Sequence, residues 1–240
     1  MKKKTRFLFI SILFLTNSIL LAQDSKSNRT EIWKGFNISS KIKKFEFKIA
    51  GQIRLKDFGE LYNQSLIDFK LNYKLLSFMN IGYEKRLINA YDDFGEKIGF
   101  DNFHRDKTFI SFQYKFDRSN IKLTIKNQKK YSYDELKSHK NNEFWRIEFE
   151  NDYNIKNFKY DPIIGFEVFY KNEIDFSSSY DKYRIQLGSS FGKKKNFSLQ
   201  YMYENTTGNN IKNPTHILKS IYKFDVFKFK KSKKVFKSFW

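Results

Sequence analysis

Residues 45–55 read Phe-Glu-Phe-Lys-Ile-Ala-Gly-Gln-Ile-Arg-Leu. From Phe45 onward every second residue is apolar or glycine, and the residues between them are Glu46, Lys48, Ala50, Gln52 and Arg54. A period of two residues is typical of a β-strand, because successive side chains point to opposite faces. The stretch therefore predicts a strand with one apolar face and one polar face.

The same alternation recurs along the chain in segments of about 9–13 residues, close to the length of a tilted strand that crosses a bilayer. Eleven such segments can be recognised, whose clearest alternation falls within 31–39, 45–55, 67–75, 79–87, 110–116, 121–125, 145–153, 164–170, 183–191, 197–203 and 216–224. Single-chain bacterial barrels have an even number of strands. We therefore expect 10–12 strands, with the ten from Phe45 to Phe224 as a self-consistent set. The first segment would then lie apart from that set or be joined by a twelfth strand.

The predicted connections alternate between short and long. Short turns are expected at 40–43, 75–77, 117–119, 154–158 and 192–196, and longer polar loops at 56–63, 88–106, 130–142, 172–181 and 205–215. Outer-membrane barrels have short periplasmic turns and longer extracellular loops. We predict an all-β, transmembrane antiparallel up-and-down β-barrel, with surface-binding specificity carried by the loops at 88–106 and 130–142. A soluble periplasmic β-protein is the alternative fold.

The N-terminus has the features of a secretory signal peptide. Residues 1–22 contain a basic start, an apolar run at 7–15 and a small residue, Ala22, at the expected cleavage site. A retained membrane anchor is the alternative, but Asn17 and Ser18 interrupt the apolar run. We expect a signal peptide at 1–22, a polar leader at 23–30, the barrel at 31–224 and a tail at 225–240. The expected location is the cell outer membrane.

The composition favours the same class of protein. Aromatic residues make up 19% of the chain, with 28 Phe and 15 Tyr, yet the mean hydropathy is −0.67. Apolar groups are therefore dispersed among polar ones, as in a transmembrane barrel. Nothing after the N-terminus is a continuous apolar run long enough for a spanning helix. The chain has no cysteine, which excludes disulfides and a lipid-modified N-terminal cysteine.

The formal net charge of +20 raises the question of an acidic partner. Nucleic acid is not expected, because no recognition motif is visible and an exported protein does not normally meet it. A basic surface facing anionic lipid headgroups is the simpler interpretation. Outer-membrane lipids are therefore an expected partner.

The polar faces of the predicted strands mix both signs of charge, and a barrel of this size is narrow enough for large side chains to fill it. The candidate lumen ion-pair network is Arg54, Glu84, Arg86, Arg146, Glu148, Glu150, Asp152, Glu167 and Arg184. Buried charges must be paired to be tolerated. We expect an interior largely plugged by ion pairs, and a narrow small-solute channel is the alternative.

The last predicted strand resembles the signal by which the barrel-assembly machinery recognises outer-membrane proteins. Leu218, Tyr222 and Phe224 fall on one face of it and form the candidate assembly signal. The tail at 225–240 interleaves lysines with Phe and Trp. It could dock on anionic headgroups, remain a disordered solubilising tail, or carry the assembly signal itself at 235–240.

The three histidines, His104, His139 and His216, give no catalytic motif or metal-ligand spacing. An outer-membrane lipid-modifying enzyme would need a His paired with a Ser nucleophile, and no such motif is visible. We expect no enzymatic activity, no catalytic or metal-binding residue and no cofactor.

The chain resembles an uncharacterised outer-membrane β-barrel family of Bacteroidota, domain-of-unknown-function family 2490. The resemblance spans about 32–224 and rests on the segments 52–55, 104–105, 112–116, 161–170, 181–188 and 196–201. The tail after Phe224 departs from the usual ending of the family. The resemblance implies an outer-membrane barrel and no assigned activity.

Overall fold

A computed structural model describes residues 29–92, 99–132, 142–156, 160–172, 178–191, 195–206 and 214–227. The predicted signal peptide, His139 and residues 228–240 of the predicted tail lie outside the described residues.

The described part of the chain forms eleven long strands. They are β1 (Arg29–Ile42), β2 (Phe45–Lys56), β3 (Leu61–Lys74), β4 (Met79–Asp92), β5 (Gly99–Lys115), β6 (Ser119–Ser132), β7 (Asn142–Tyr153), β8 (Asp161–Asn172), β9 (Ser178–Phe191), β10 (Phe197–Thr206) and β11 (Thr215–Phe227). β1 starts at Arg29, inside the predicted leader, and β11 continues to Phe227, inside the predicted tail.

The strands close into one barrel in chain order. Every consecutive pair is antiparallel, and the barrel is closed by β1 pairing with β11 in parallel, from Arg29 opposite Thr215 onward. The prediction of an all-β barrel is confirmed. Eleven strands lie within the predicted range of 10–12, but the expectation of an even number is wrong, because a parallel closing pair lets a barrel hold an odd number. The segment at 31–39 is a full member of the barrel.

The connections define two rims. We call the end that carries connections 43–44, 75–78, 116–118, 154–160 and 192–196 the turn rim, and the end that carries 57–60, 93–98, 133–141, 173–177 and 207–214 the loop rim. The lengths are less sharply sorted than predicted, since 57–60 on the loop rim is shorter than 154–160 on the turn rim. Residues 88–92 and 99–106, predicted to be loop, belong to β4 and β5, so the long loop proposed there is wrong.

The outward face is apolar across the middle of the barrel. Its exposed side chains include Ile49, Ile67, Phe69, Ile110, Ile147, Phe149, Ile164, Phe166 and Leu187. Aromatic pairs lie towards both rims. Phe45 and Tyr73 are 4.9 Å apart by ring centroids at the turn rim, and Tyr170 and Tyr180 are 5.8 Å apart at the loop rim.

The inward face holds the buried core. Trp33, Met202 and Ile217 from β1, β10 and β11 form a buried apolar cluster beside the parallel seam. Phe109 also points inward and lies over Gly82, where an added Cβ would overlap its ring. The interior is therefore filled by side chains of every size, including the charged ones.

Candidate functional site: the charged lumen

A cluster of paired charges from β3, β4 and β5 lies on the inward face. The register places Asp68 opposite Arg86 and Glu84 opposite Lys107. Arg86 donates through Nε and Nη2 to the two carboxylate oxygens of Asp68, at 2.5 and 2.7 Å. Its guanidinium is also 3.5 Å from Glu84, which accepts from Lys107. This is a bidentate pair joined to a second pair, an arrangement that fixes both side chains.

A second cluster joins β7, β8, β9 and β10. Glu167 accepts from Nε of Arg146 at 3.0 Å and from Nη1 of Arg184 at 2.7 Å. Arg184 donates onward to Glu204, which also accepts from Nζ of Lys182 at 3.1 Å. Three cations and two carboxylates thus alternate across four strands.

Lys126 and Glu148 lie between these clusters. The two side chains project from β6 and β7 and form an ion pair. Arg146 donates to Gln128 at 3.2 Å. We call the set Asp68, Glu84, Arg86, Lys107, Lys126, Arg146, Glu148, Glu167, Lys182, Arg184 and Glu204 the ion-pair belt; its pairs are distributed from β3 to β10.

The ion-pair belt is shielded from solvent at its centre, whereas the side chains of Lys182 and Glu148 are 27% and 31% exposed. Lys107 is 2% exposed, and Glu84 and Glu167 are each 7% exposed. The uncharged neighbours are as deeply buried, with Thr124 at 2% and Gln128 at 4%. The charges therefore neutralise each other in a packed interior, where removing one partner is costly.

Arg54 contacts an aromatic ring and an amide in place of the predicted ion-pair partner. Its guanidinium lies 3.7 Å from the ring centroid of Trp33 and donates to Gln52 at 3.2 Å. Arg184 approaches the same indole at 5.5 Å. An aromatic face can hold a cation that has no carboxylate partner. The ring of Trp33 therefore connects the ion-pair belt to the parallel seam.

Six members of the predicted network are in the ion-pair belt: Glu84, Arg86, Arg146, Glu148, Glu167 and Arg184. Arg54, Glu150 and Asp152 form no ion pair within the part of the chain that the structure describes. The prediction missed Asp68, Lys107, Lys126, Lys182 and Glu204 as network members. Lys107 lies between the predicted loop at 88–106 and the predicted strand segment at 110–116, so neither of them includes it.

The candidate assembly-signal residues are on the outward face of β11. Tyr222 and Phe224 are exposed, with ring centroids 4.5 Å apart, and Leu218 is partly exposed. The register places Leu218 beside Ile32 of β1 and Tyr222 beside Phe36. The strand that carries these three residues is therefore also the closing strand of the barrel.

Two histidines lie on the outward face. The ring of His104 stacks on Tyr131 with centroids 4.9 Å apart, and its Nε2 is 3.9 Å from the carboxylate of Asp106. Nδ1 of His216 is 2.6 Å from the Tyr201 hydroxyl. These contacts place both rings among aromatic side chains of the outer surface.

In the described part of the chain, no group of histidine and carboxylate side chains is arranged to hold a metal ion. Within the same residues no helix is long and apolar enough to cross a membrane.

One family model matches most of the chain. It is described as a protein of unknown function, DUF2490, and it covers residues 30–216. The matched range includes the whole ion-pair belt. No curated protein matches the sequence.

Proposed function

The chain belongs to the DUF2490 family, and we propose that it is an exported outer-membrane β-barrel with a non-enzymatic structural or surface-binding role and a closed lumen. The observation that carries this proposal is the contrast between the two faces of one closed sheet. The outward face is apolar and exposed, and the inward face holds paired charges. A soluble barrel has the opposite need, because its outward face meets water.

The outward face supports insertion into a bilayer. Outer-membrane barrels have an apolar band flanked by aromatic residues at both interfaces. Here isoleucine, leucine and phenylalanine occupy the middle, and aromatic pairs such as Phe45–Tyr73 and Tyr170–Tyr180 lie towards the rims. Outer-membrane lipids are therefore the proposed environment of this surface.

The packing of side chains on the inward face supports a closed lumen. The ion-pair belt and the buried side chains of Trp33, Phe109, Phe169 and Met202 fill the interior. Ion-conducting pores need a polar path along which a solute can bind weakly and leave. The charges of the belt are paired with one another, so they attract a solute less strongly than free charges would.

The proposed orientation places the turn rim in the periplasm and the loop rim at the cell surface. Residues that contact other molecules at the surface would then come from the connections of the loop rim. The outward face of β11, with Leu218, Tyr222 and Phe224, is the proposed contact for the barrel-assembly machinery.

A narrow channel is the second candidate function. The observation in its favour is that Glu150 and Asp152 face the lumen and form no ion pair in the described residues, so a polar path beside the belt has charged groups available. A closed lumen predicts no unitary current across a planar bilayer, whereas an open channel predicts such a current.

Planar-bilayer recording of the refolded protein separates the two. We expect the wild-type barrel to give no unitary conductance, because the belt blocks the lumen. The double variant R146A/R184A removes two belt cations and should conduct. R118A, at the turn rim, is the control with a charge change outside the belt and should remain silent. Unitary currents from the wild-type protein would contradict closure and support the channel.

A further inference from the structure

A group of aromatic rings lies at the loop-rim ends of β4 and β5, beyond the apolar band of the outward face. Tyr91 and Phe100 are register partners there, and Phe100 is 62% exposed. The next apolar side chain on the outward face of β5 is that of Ile110, roughly 33 Å away along the strand. β5 has 17 residues, whereas about 9–11 are enough for a tilted strand to cross a bilayer. Phe100 therefore lies on a part of β5 that extends past the apolar band.

Two asparagines and a third ring join these side chains into one surface. We call it the aromatic–amide patch, and its members are Tyr62, Asn89, Tyr91, Phe100 and Asn102. The ring centroid of Phe100 lies 5.4 Å from that of Tyr91 and 5.9 Å from that of Tyr62, both in edge-on arrangements. Asn89 donates through Nδ2 to Oδ1 of Asn102 at 2.9 Å, and the Tyr62 hydroxyl lies 3.1 Å from the backbone oxygen of Asn89. These contacts hold the rings and the amides side by side on β3, β4 and β5.

The polar groups of the patch are only partly engaged within the protein. Asn102 is exposed, and its Nδ2 forms no hydrogen bond in the part of the chain that the structure describes. Among the same residues, the Tyr91 hydroxyl forms none either. A side-chain amide has two N–H donors and a hydroxyl can both donate and accept. The patch can therefore donate hydrogen bonds to a ligand that lies against the exposed ring of Phe100.

None of the five side chains of the patch is charged, although the chain carries a formal net charge of +20. The first lysine on the outward face of β4 is Lys85 and the first carboxylate on that of β5 is Asp106, each four residues beyond the nearer asparagine. An anion would need lysine or arginine donors, and unbound N–H donors do not suit a cation. A lipid tail would leave the amides without hydrogen-bond partners. The patch therefore fits an uncharged ligand that combines apolar surface with hydroxyl groups.

Carbohydrates have this combination of groups. One face of a sugar ring consists largely of C–H groups and packs against an aromatic ring, while the hydroxyls at its edge donate and accept hydrogen bonds. An asparagine beside an aromatic ring meets both needs, because the amide supplies donors and an acceptor and the ring supplies apolar surface. The patch spans three neighbouring strands, about 10 Å across, which is wider than one sugar ring.

We propose that the aromatic–amide patch binds a neutral oligosaccharide. Phe100 supplies the exposed stacking surface and Asn102 supplies hydrogen-bond donors. Tyr62 and Asn89 hold these two side chains in place. The proposal names the ligand class of the surface-binding role, so the location of the site at the cell surface rests on the proposed function. Binding by the purified barrel does not depend on that location.

An oligosaccharide array probed with the fluorescently labelled protein tests the ligand class. The protein is refolded in lauryldimethylamine oxide, because a detergent with a sugar headgroup would compete for the site. The array carries neutral gluco-, manno-, galacto- and xylo-oligosaccharides beside acidic oligogalacturonates. We expect binding to at least one neutral class and weaker or no binding to the oligogalacturonates. The proposal is overturned if no neutral class binds, or if the oligogalacturonates bind more tightly than every neutral class.

Isothermal titration with the tightest-binding neutral oligosaccharide tests the position of the site. F100A and N102A should each lose about tenfold in affinity, through the lost stacking surface and the lost hydrogen bonds. The control F45A/N151A also removes one phenylalanine and one asparagine from the outward face, but in the turn-rim half, and should bind like the wild type. Undiminished binding by both F100A and N102A would overturn the proposal. A loss of binding in the control alone would place the site elsewhere and overturn it as well.

Salt and self-association distinguish this site from other occupants of the patch. Because the site is uncharged, the affinity should change less than about twofold between about 50 and 500 mM NaCl. A steep loss with salt would show that charges bind the ligand. Light scattering should give the same oligomeric state for the wild type and F100A; a dimer that dissociates in F100A would assign the patch to a second copy of the chain. Unitary currents from the wild-type barrel would contradict the closed lumen and leave this site intact, whereas a negative array would contradict this site alone.

Discussion

Glu167 is the residue on which two arginines converge. It is buried at 7% exposure and accepts from Arg146 and Arg184. A single carboxylate that pairs with two shielded guanidinium groups contributes more to the free energy of unfolding than an exposed ion pair does. Its removal leaves both cations without a negative partner.

We predict that E167Q lowers the free energy of unfolding by about 3–5 kcal/mol, the usual cost of breaking a buried ion pair. Urea unfolding of the refolded barrel, followed by tryptophan fluorescence, measures it. The control is D117N, because Asp117 is also in an ion pair with an arginine, Arg118, but its side chain is 97% exposed. The control should match the wild type, since exposed pairs contribute little. Equal stability of E167Q and D117N would show that the belt is not structural.

The alternation of the sequence predicts the direction of some of these side chains and misses that of others. Alternation assigned Arg86, Arg146 and Glu167 to the inward face correctly. The alternation did not identify Lys107 as an inward-facing residue. The outward residues near it, His104 and Asp106, are polar, so this end of β5 shows no apolar residue at every second position. The prediction placed Arg54 on the inward face correctly, but it expected a carboxylate partner in place of the indole ring of Trp33. Its contact with Trp33 depends on the register between β1 and β2, which alternation does not encode.

At the scale of elements, the parallel pairing of β1 with β11 is the feature that sequence could not supply. Each strand has an ordinary alternation, and nothing in either one indicates its neighbour across the closure. The even-number rule for bacterial barrels then favoured leaving 31–39 out. The structure pairs β1 with β11 over almost its whole length, with one register irregularity between Ser39 and Ser40.

Disulfide trapping tests this seam, because the native chain has no cysteine. Lys34 and Ser220 are outward-facing register partners on β1 and β11, so K34C/S220C should form a disulfide under mild oxidation. K34C/F224C is the control, since Phe224 is opposite Ile38 and lies too far along β11. Reaction of the control pair in preference to the first would contradict the parallel register.

At the scale of the whole molecule, the odd strand number places the start of β1 and the end of β11 at opposite rims. β1 starts at the loop rim with Arg29, and β11 ends at the turn rim with Phe227. An even-stranded up-and-down barrel would bring both ends to one rim. In a membrane-spanning barrel the start of β1 and the end of β11 must therefore lie on opposite sides of the bilayer.

Accessibility of two epitope tags in intact Gram-negative cells tests most directly whether this is an eleven-stranded barrel that crosses the outer membrane. One tag is inserted directly before Arg29 and the other follows Trp240. Antibody should bind the first tag on intact cells and the second only after the outer membrane is permeabilised. Both tags accessible, both protected, or recovery of the protein in the soluble fraction would contradict the proposed topology.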